Sequence, residues 1–226
     1  MNTLPDQSKR LSQKTIGQVL KILAATYPEA HCELNYQTPF QLLIATVLSA
    51  QTTDKKVNEV TSILFKNYAT AQDFLYLTQE QLEEYIRQIG LYRNKAKNIL
   101  GLCHMLVTQY QGEVPNNFED LVKLPGVGRK TANVVLSNAF GVPAIAVDTH
   151  VFRVANRIGL TKAEDVNKTE VQLMESIPKD FWSKAHHLLI WHGRRTCTAR
   201  NPQCQICPVQ PNCLYFRKNK KAKDIC

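Results

Sequence analysis

Four cysteines near the C-terminus have the residue type and the spacing of metal ligands. They are separated by six, two and five residues: Cys197, Cys204, Cys207 and Cys213. Four thiolates this close together can hold Zn²⁺ or an iron–sulfur cluster. Zinc sites usually repeat a short spacing in both halves, whereas only the central pair is close here, which mildly favours a cluster. A disulfide framework is disfavoured for a chain in a reducing compartment.

A lysine at a helix start could carry a second kind of chemistry. Lys130 follows the turn at residues 125–128 and begins an apolar-periodic segment. Gly126 and Gly128 allow a tight turn, and the start of the helix offers unpaired N–H groups that, with Arg129, can hold a phosphate. Because the positive end of a helix disfavours an ammonium ion, Lys130 is a candidate nucleophile for Schiff-base chemistry. A plain helical hairpin and a lysine that only contacts phosphate are the alternatives.

Asp148 lies immediately before another apolar-periodic segment, where a helix N-cap belongs. An N-cap carboxylate accepts backbone N–H bonds, which favour its charged form. Such a fixed negative charge suits the stabilisation of a developing cation or the steering of a proton. Simple helix capping is the alternative and the commoner role.

Composition and charge narrow the class of protein. The chain has 226 residues, 44% of them hydrophobic and 21% charged, which excludes a disordered or collagen-like protein. Its net charge of +9 favours an anionic partner, and residues 182–226 carry almost all of it. Three arginines in that segment could balance a negatively charged cluster: Arg194, Arg195 and Arg200.

The polar N-terminus and the lack of a long apolar segment predict a cytoplasmic protein, associated with the nucleoid in a bacterium.

Apolar residues recur with helical spacing along most of the chain. The clearest runs are Ile16, Val19, Leu20 and Leu23; Val57, Val60, Ile63 and Leu64; and Leu82, Ile86 and Ile89. Strand patterns are nearly absent, and Gly90, Gly112 and Pro178 mark helix ends. The sequence therefore predicts an all-α fold of short helices.

Five segments together resemble endonuclease III, a family of bifunctional DNA glycosylases and abasic-site lyases in the helix-hairpin-helix superfamily. They are residues 48–54, 89–96, 124–132 and 147–151 and the four-cysteine pattern. The resemblance runs from about Leu20 to Tyr215. It implies a six-helix domain at residues 32–142 that ends with the hairpin. It also implies a second domain, residues 1–31 plus 143–226, in which the four cysteines hold a [4Fe–4S] cluster.

The resemblance further implies a reaction and its residues. Lys130 would attack the sugar C1′ of an oxidised pyrimidine nucleotide with help from Asp148, and the resulting imine would allow β-elimination. Gln51 would fill the gap left by the extruded nucleotide, Leu91 would wedge beside it, and His150 would lie near the lesion. A helix-end Gln51, a core Leu91 and a capping His150 are the alternatives. The partner is double-stranded DNA containing oxidised pyrimidines or abasic sites, bound by a monomer.

Three other functions compete with this interpretation. An adenine glycosylase of the same superfamily is disfavoured because that family lacks the lysine and has an additional C-terminal domain, whereas this chain ends 13 residues after Cys213. A non-catalytic, zinc-bearing DNA-binding module would use Lys130 only as a contact. A redox sensor would explain the cysteines but not Lys130 with Asp148.

One departure from the family is the loop at residues 198–203, in which only Arg200 is basic.

Overall fold

Helices form all the regular structure of residues 10–223, the part of the chain that the computed structural model describes. The helices in the first half are α1 Gln13–Thr26, α2 Pro39–Leu48, α3 Asp54–Asn67, α4 Ala71–Phe74, α5 Gln79–Ile86 and α6 Tyr92–Gln109. Those in the second half are α7 Phe118–Leu121, α8 Arg129–Ala139, α9 Thr149–Ile158, α10 Val166–Ser176, α11 Trp182–Arg195 and α12 Leu214–Lys223. Three-residue 3₁₀ turns lie at Lys179–Phe181, Cys204–Ile206 and Gln210–Asn212.

The absence of strands from residues 10–223 confirms the all-α prediction. In this same range, no helix combines the length and the apolar character needed to cross a lipid bilayer. Cys226, one of the isolated cysteines, lies outside the described residues.

Local capping chemistry sets most helix starts. Ser12, Thr38 and Thr53 each accept a hydrogen bond from the backbone N–H three residues further on, which satisfies one of the unpaired donors of the first turn. Helices α6 and α8 differ, because their N-cap residues, Leu91 and Gly128, provide no side-chain hydrogen bond. Helix α11 also begins without such a bond, at Phe181, but Leu91 and Gly128 are residues that the sequence marks as functional candidates.

The chain divides into two compact units, and the first is Cys32–Val142. It contains seven helices, α2 to α8, one more than the six that the resemblance implies, and two of the seven, Ala71–Phe74 and Phe118–Leu121, are single turns. Helix α2 is buried on every side from residue 40 to residue 48 and packs against α3, α6 and α8. The expected burial of Ile63 is wrong, since its side chain is 60% exposed and lies off the α3 stripe that buries Leu64.

The second unit consists of the segments up to His31 and from Pro143 onward. The predicted apolar face of α1 is buried there with residues of α9 and α11. Val209 and Cys213, which belong to the cysteine-rich loop, lie in the same core cluster. The loop is therefore packed into the unit and does not project from it.

A partly buried histidine is expected to make this second unit sensitive to acid. Burial, followed by the imidazoles of His186 and His31 and the ammonium of Lys184, lowers the pKa of His187 to about 3. The unfolded chain, with a histidine pKa near 6.5, binds a proton that the folded chain does not bind between these two values. Stability is therefore fully present above pH 6.5 and is lost as the pH falls toward 3.

We expect His187 to cost about 2 kcal/mol of unfolding free energy between pH 7 and pH 5. Urea unfolding at the two pH values measures this loss. In His187→Gln the dependence on pH should be shallower by that amount. Equal slopes in the two proteins would rule out His187 as a source of the acid sensitivity.

Candidate active site and metal centre

The hairpin that carries Lys130 consists of α7, a tight turn and α8. Gly126 has φ +78°, and a Cβ added to it would lie 3.0 Å from the Cβ of Asn98 on α6. The turn therefore favours glycine for two reasons: its positive φ angle and the closeness of the Asn98 side chain. Three apolar side chains fix the hairpin by being buried: Leu121, Leu124 and Val127.

The outer side of the turn is open. Gly128 has extended backbone angles, and a Cβ added there would meet no atom within 4 Å. Because α8 has no side-chain cap, its first-turn N–H groups remain available to an anion. The guanidinium of Arg129 lies 5.1 Å from the ring centre of Phe118, and Lys130 is exposed at the next position. The hairpin therefore presents backbone donors that an anion could use, with a primary amine beside them.

Gln51 and Leu91 both lie in strained, exposed turns. Their φ angles are +57° and +59°, and residues 10–223 contain only one other non-glycine residue with positive φ. The left-handed conformation costs a non-glycine residue about 1–2 kcal/mol. The side chain of Leu91 is 57% exposed, so the core alternative for it is wrong. Strain of this kind is concentrated at functional positions.

Asp148 is the N-cap of α9, as predicted. Its Oδ1 accepts a hydrogen bond of 2.8 Å from the backbone N–H of Val151, and the residue is half-buried. One oxygen of the carboxylate is thus used for capping, and the second oxygen can face a ligand.

His150 lies in the first turn of the same helix and is neutral. Burial lowers its pKa, and the positive charges of Arg153 and Arg194 lower it further, against the opposing effect of Asp148. Nη2 of Arg153 donates to Nδ1 of His150 at 3.2 Å and to the Gly193 carbonyl at 2.9 Å. Because arginine has no acceptor, Nδ1 must accept, and the imidazole proton lies on Nε2. His150 is therefore a neutral hydrogen-bond donor beside a carboxylate.

The four candidate metal ligands line one pocket that opens to solvent. Ile158, His192 and Phe216 also line this pocket. Among the described residues, no three His, Cys, Asp or Glu side chains are close enough together to hold a single metal ion. The four thiols therefore share one pocket without converging on a site for one ion.

The donor chemistry of this pocket suits a cationic group. Burial raises the pKa of Cys213 to about 11, and it also raises the pKa of Cys204 and of Cys207. These sulfurs become thiolates only when a nearby positive centre compensates for their burial. Nε2 of His192 lies 3.6 Å from Sγ of Cys207, and Nδ1 of His192 is hydrogen-bonded to the Tyr27 hydroxyl at 3.1 Å. The pocket therefore combines four sulfur ligands with an orienting hydrogen-bond network.

Two arginines of α9 that the sequence analysis did not single out hold the start of the cysteine loop. Nη1 of Arg157 donates to the Thr198 carbonyl at 2.7 Å and lies 3.7 Å from Sγ of Cys197. Nε of Arg153 donates to the Cys197 carbonyl at 3.2 Å. The guanidinium of Arg157 also lies 4.9 Å from the ring centre of Tyr215. Their four-residue spacing on one helix face was the available signal.

Two of the arginines that were expected to balance the metal centre can be located. The guanidinium of Arg195 lies 3.5 Å from the ring centre of Trp191, and Arg200 is exposed. A positive charge within 4 Å of a cysteine sulfur is supplied by Arg157.

The two units carry different candidate residues. Gln51, Leu91 and the Lys130 hairpin belong to Cys32–Val142, whereas Asp148, His150 and the four cysteines belong to the other unit.

Comparison with known proteins identifies the family. Residues 44–179 match the model of the HhH-GPD superfamily base excision DNA repair protein, and residues 197–213 match the iron–sulfur binding domain of endonuclease III. Endonuclease III of Bacillus subtilis (strain 168) is 50% identical over 93% of this chain and 97% of the relative. Endonuclease III of Rickettsia conorii (strain ATCC VR-613 / Malish 7) is 48% identical over 91% and 98%.

A solved structure agrees with these sequence relatives. A trapped covalent intermediate of endonuclease III with DNA, an estranged-adenine complex, superposes with a TM-score of 0.89 at 53% identity. The match covers 93% of this chain and 99% of that chain. The chain belongs to the endonuclease III family of the HhH-GPD superfamily of base excision DNA repair proteins.

Proposed function

We propose that this protein removes oxidised pyrimidines from duplex DNA and then cleaves the strand at the abasic site. The observation that carries the proposal is the exposed amine of Lys130 in the first turn of an uncapped helix, beside the open backbone of Gly128. A phosphate held at this helix start would bring the deoxyribose of a bound strand close to the amine. The related structure with a covalent bond to DNA supports an enzyme nucleophile.

The chemistry begins at the sugar. The lone pair of the Lys130 amine attacks C1′ while the N-glycosidic bond breaks, the base leaves with the bonding electron pair and takes up a proton, and the attached nitrogen loses one proton. Cleavage of the C1′–O4′ bond and protonation of O4′ then give an imine between C1′ and Lys130. Loss of a C2′ proton expels the 3′ phosphate, and water hydrolyses the imine to release the enzyme.

Asp148 supplies the negative charge for this reaction. The sugar becomes cationic as the base departs, and a fixed carboxylate stabilises that charge. We assign His150, in the first turn of the same helix, a hydrogen bond to the lesion or its sugar.

Replacing Asp148 with asparagine separates capping from chemistry. Asparagine caps helices about as well as aspartate, so the melting temperature should change little. Loss of the charge should slow base removal by about 10²–10⁴-fold, the range for one electrostatic or acid–base group. Single-turnover release of thymine glycol measures the rate. Undiminished base removal in a folded Asp148→Asn protein would show that Asp148 is only a cap.

The hairpin glycines provide a matched pair of variants. Gly126→Ala forces a left-handed alanine against Asn98 and should destabilise the protein by about 2 kcal/mol. Gly128→Ala meets no protein atom, so its stability should stay within about 0.5 kcal/mol of the original. Its added methyl group would stand between the backbone and a phosphate, and we expect duplex affinity to fall about tenfold, or about 1.4 kcal/mol. Thermal melting and fluorescence anisotropy measure the two effects, and unchanged affinity would remove the turn from the DNA-binding surface.

The protein binds a [4Fe–4S] cluster, and we assign as its ligands Cys197, Cys204, Cys207 and Cys213. When bound, the cluster would supply positively charged iron centres that stabilise the thiolate form of these cysteines. His192 and Arg157 would orient Cys207 and Cys197 through the contacts described above. The enzyme would act as a monomer on double-stranded DNA. Because chromosomal DNA is the expected substrate, we expect the enzyme to lie in the cytoplasm, at the nucleoid in a bacterium.

A further inference from the structure

A buried lysine that the proposed chemistry does not use lies on α6. Lys95 is only 5% exposed. Its Nζ donates to the Leu48 carbonyl at 2.8 Å and the Ala50 carbonyl at 2.6 Å, and it lies 3.4 Å from the Thr52 hydroxyl. All three ammonium protons therefore have an acceptor in one short segment of chain.

This segment consists of the last residue of α2 and the turn that follows it, where helix carbonyls lack partners and a cation is favoured. Burial nevertheless lowers the pKa of Lys95, because desolvation disfavours the charged form of the amine in the folded protein. An apolar side chain would often fill such a position at equal or lower cost in stability. Stability alone is therefore a poor explanation for an ammonium ion at this place.

The contacts of Lys95 hold the turn at Gln51. The Ala50 carbonyl belongs to the peptide group that precedes Gln51, so its hydrogen bond to Lys95 fixes the plane from which the φ angle of Gln51 is set. The Thr52 hydroxyl lies on the other side of Gln51. One ammonium group thus holds both neighbours of a residue whose φ is +57°.

The same residue is joined to the turn at Leu91. The backbone N–H of Lys95 donates to the Leu91 carbonyl at 3.1 Å, which is the first hydrogen bond of α6. The two turns are also close together, because a Cβ added to Gly90 would lie 3.6 Å from the Gln51 carbonyl oxygen. The side chain of Lys95 therefore holds one strained turn while its main chain holds the other.

We propose that Lys95 is a positioning residue for nucleotide extrusion, which keeps Gln51 and Leu91 in their left-handed turns before DNA arrives. This inference rests on the proposed function and on the roles that the family resemblance implies for those two residues. Side chains already fixed in the shape that enters the duplex lose less conformational freedom on binding. Lys95 acts through the turns and does not touch the DNA.

The test compares Lys95→Met with Lys97→Met, which removes an exposed ammonium from the same helix. Extrusion is read from the fluorescence of 2-aminopurine placed opposite a tetrahydrofuran abasic analogue in a duplex. We expect Lys95→Met to lower the extrusion equilibrium and the rate of thymine glycol release about tenfold each. Cleavage at an abasic site in single-stranded DNA, which has no duplex to open, should stay unchanged. Lys97→Met should match the original protein in every assay.

A double-mutant cycle separates positioning from general damage. In a Gln51→Ala background, Lys95→Met should cause a further loss much smaller than tenfold, since the residue through which it acts is already gone. A full tenfold further loss, or an equal loss of single-stranded cleavage, would overturn the proposal. If Lys95→Met does not fold, Lys95→Arg is measured in its place, because its planar head cannot reproduce three converging contacts. Unchanged extrusion in that variant would also overturn the proposal.

The extrusion readout needs no catalysis, so the two proposals can fail separately. An original protein that extrudes the nucleotide but releases no oxidised base would refute the proposed function and still report on Lys95. An original protein that releases the base, with a Lys95→Met variant that does so equally well, would refute only the role of Lys95.

Discussion

Replacing Lys130 with glutamine is expected to abolish covalent trapping of the protein on DNA and to slow base removal by at least about 10³-fold. Glutamine has no amine that can form an imine, so borohydride has nothing to reduce. A loss of this size, about 4 kcal/mol of transition-state stabilisation, is on the order expected when a nucleophile is removed. Because Lys130 is exposed at the start of α8, the substitution should leave the fold intact.

Lys123→Gln is the matched control for this prediction. Lys123 belongs to the same hairpin, and its Nζ lies 2.7 Å from Oδ1 of Asp120. Its loss removes one positive charge and a surface ion pair worth at most about 1 kcal/mol. Trapping should persist in Lys123→Gln. Equal trapping in Lys130→Gln would show that another amine is the nucleophile.

Replacing Cys213 with alanine is the second change with a large expected effect. Cys213 is 8% exposed, lies in the core of its unit and faces the same pocket as the other three cysteines of the loop. We expect the variant to lose the visible iron–sulfur absorbance and at least about 3 kcal/mol of stability, since thiolates that need a partner are left buried without one. For a chain of this length that loss lowers the melting temperature by about 6–12 °C.

Cys103→Ala is the control for the cluster. Cys103 is fully buried on α6, and burial raises the pKa of its thiol, as at Cys204, Cys207 and Cys213. Its replacement leaves a small cavity but should retain full iron and sulfide content. A Cys213→Ala protein with the same iron content as Cys103→Ala would contradict the ligand assignment.

Features determined by neighbouring residues in the sequence were predictable. The capping position of Asp148, the all-α fold and the iron–sulfur cofactor are confirmed. Each was predicted from the types and spacing of residues that are close together in the sequence. The family match identifies a base excision repair protein, which argues against the alternative interpretations as a zinc-bearing module or a redox sensor. The catalytic roles of Lys130 and Asp148 remain predictions.

Features that depend on contacts between distant segments were not predictable. Arg157 meets the cysteine loop across about 40 residues of sequence, and Lys95 meets the end of α2 across 47. Nothing in the local pattern of a lysine or an arginine shows which remote carbonyl it will bind. Ile63 shows the related limit of periodicity, because a residue one position off a buried stripe can be fully apolar and still face solvent.

The most direct test of the central claim is to identify the amino acid that becomes joined to DNA. Protein incubated with a thymine glycol duplex and borohydride is digested with protease and nuclease, and the modified peptide is sequenced by mass spectrometry. The account predicts one reduced sugar adduct, on Nζ of Lys130. An adduct on a different amine, or release of the base with no adduct at all, would contradict it.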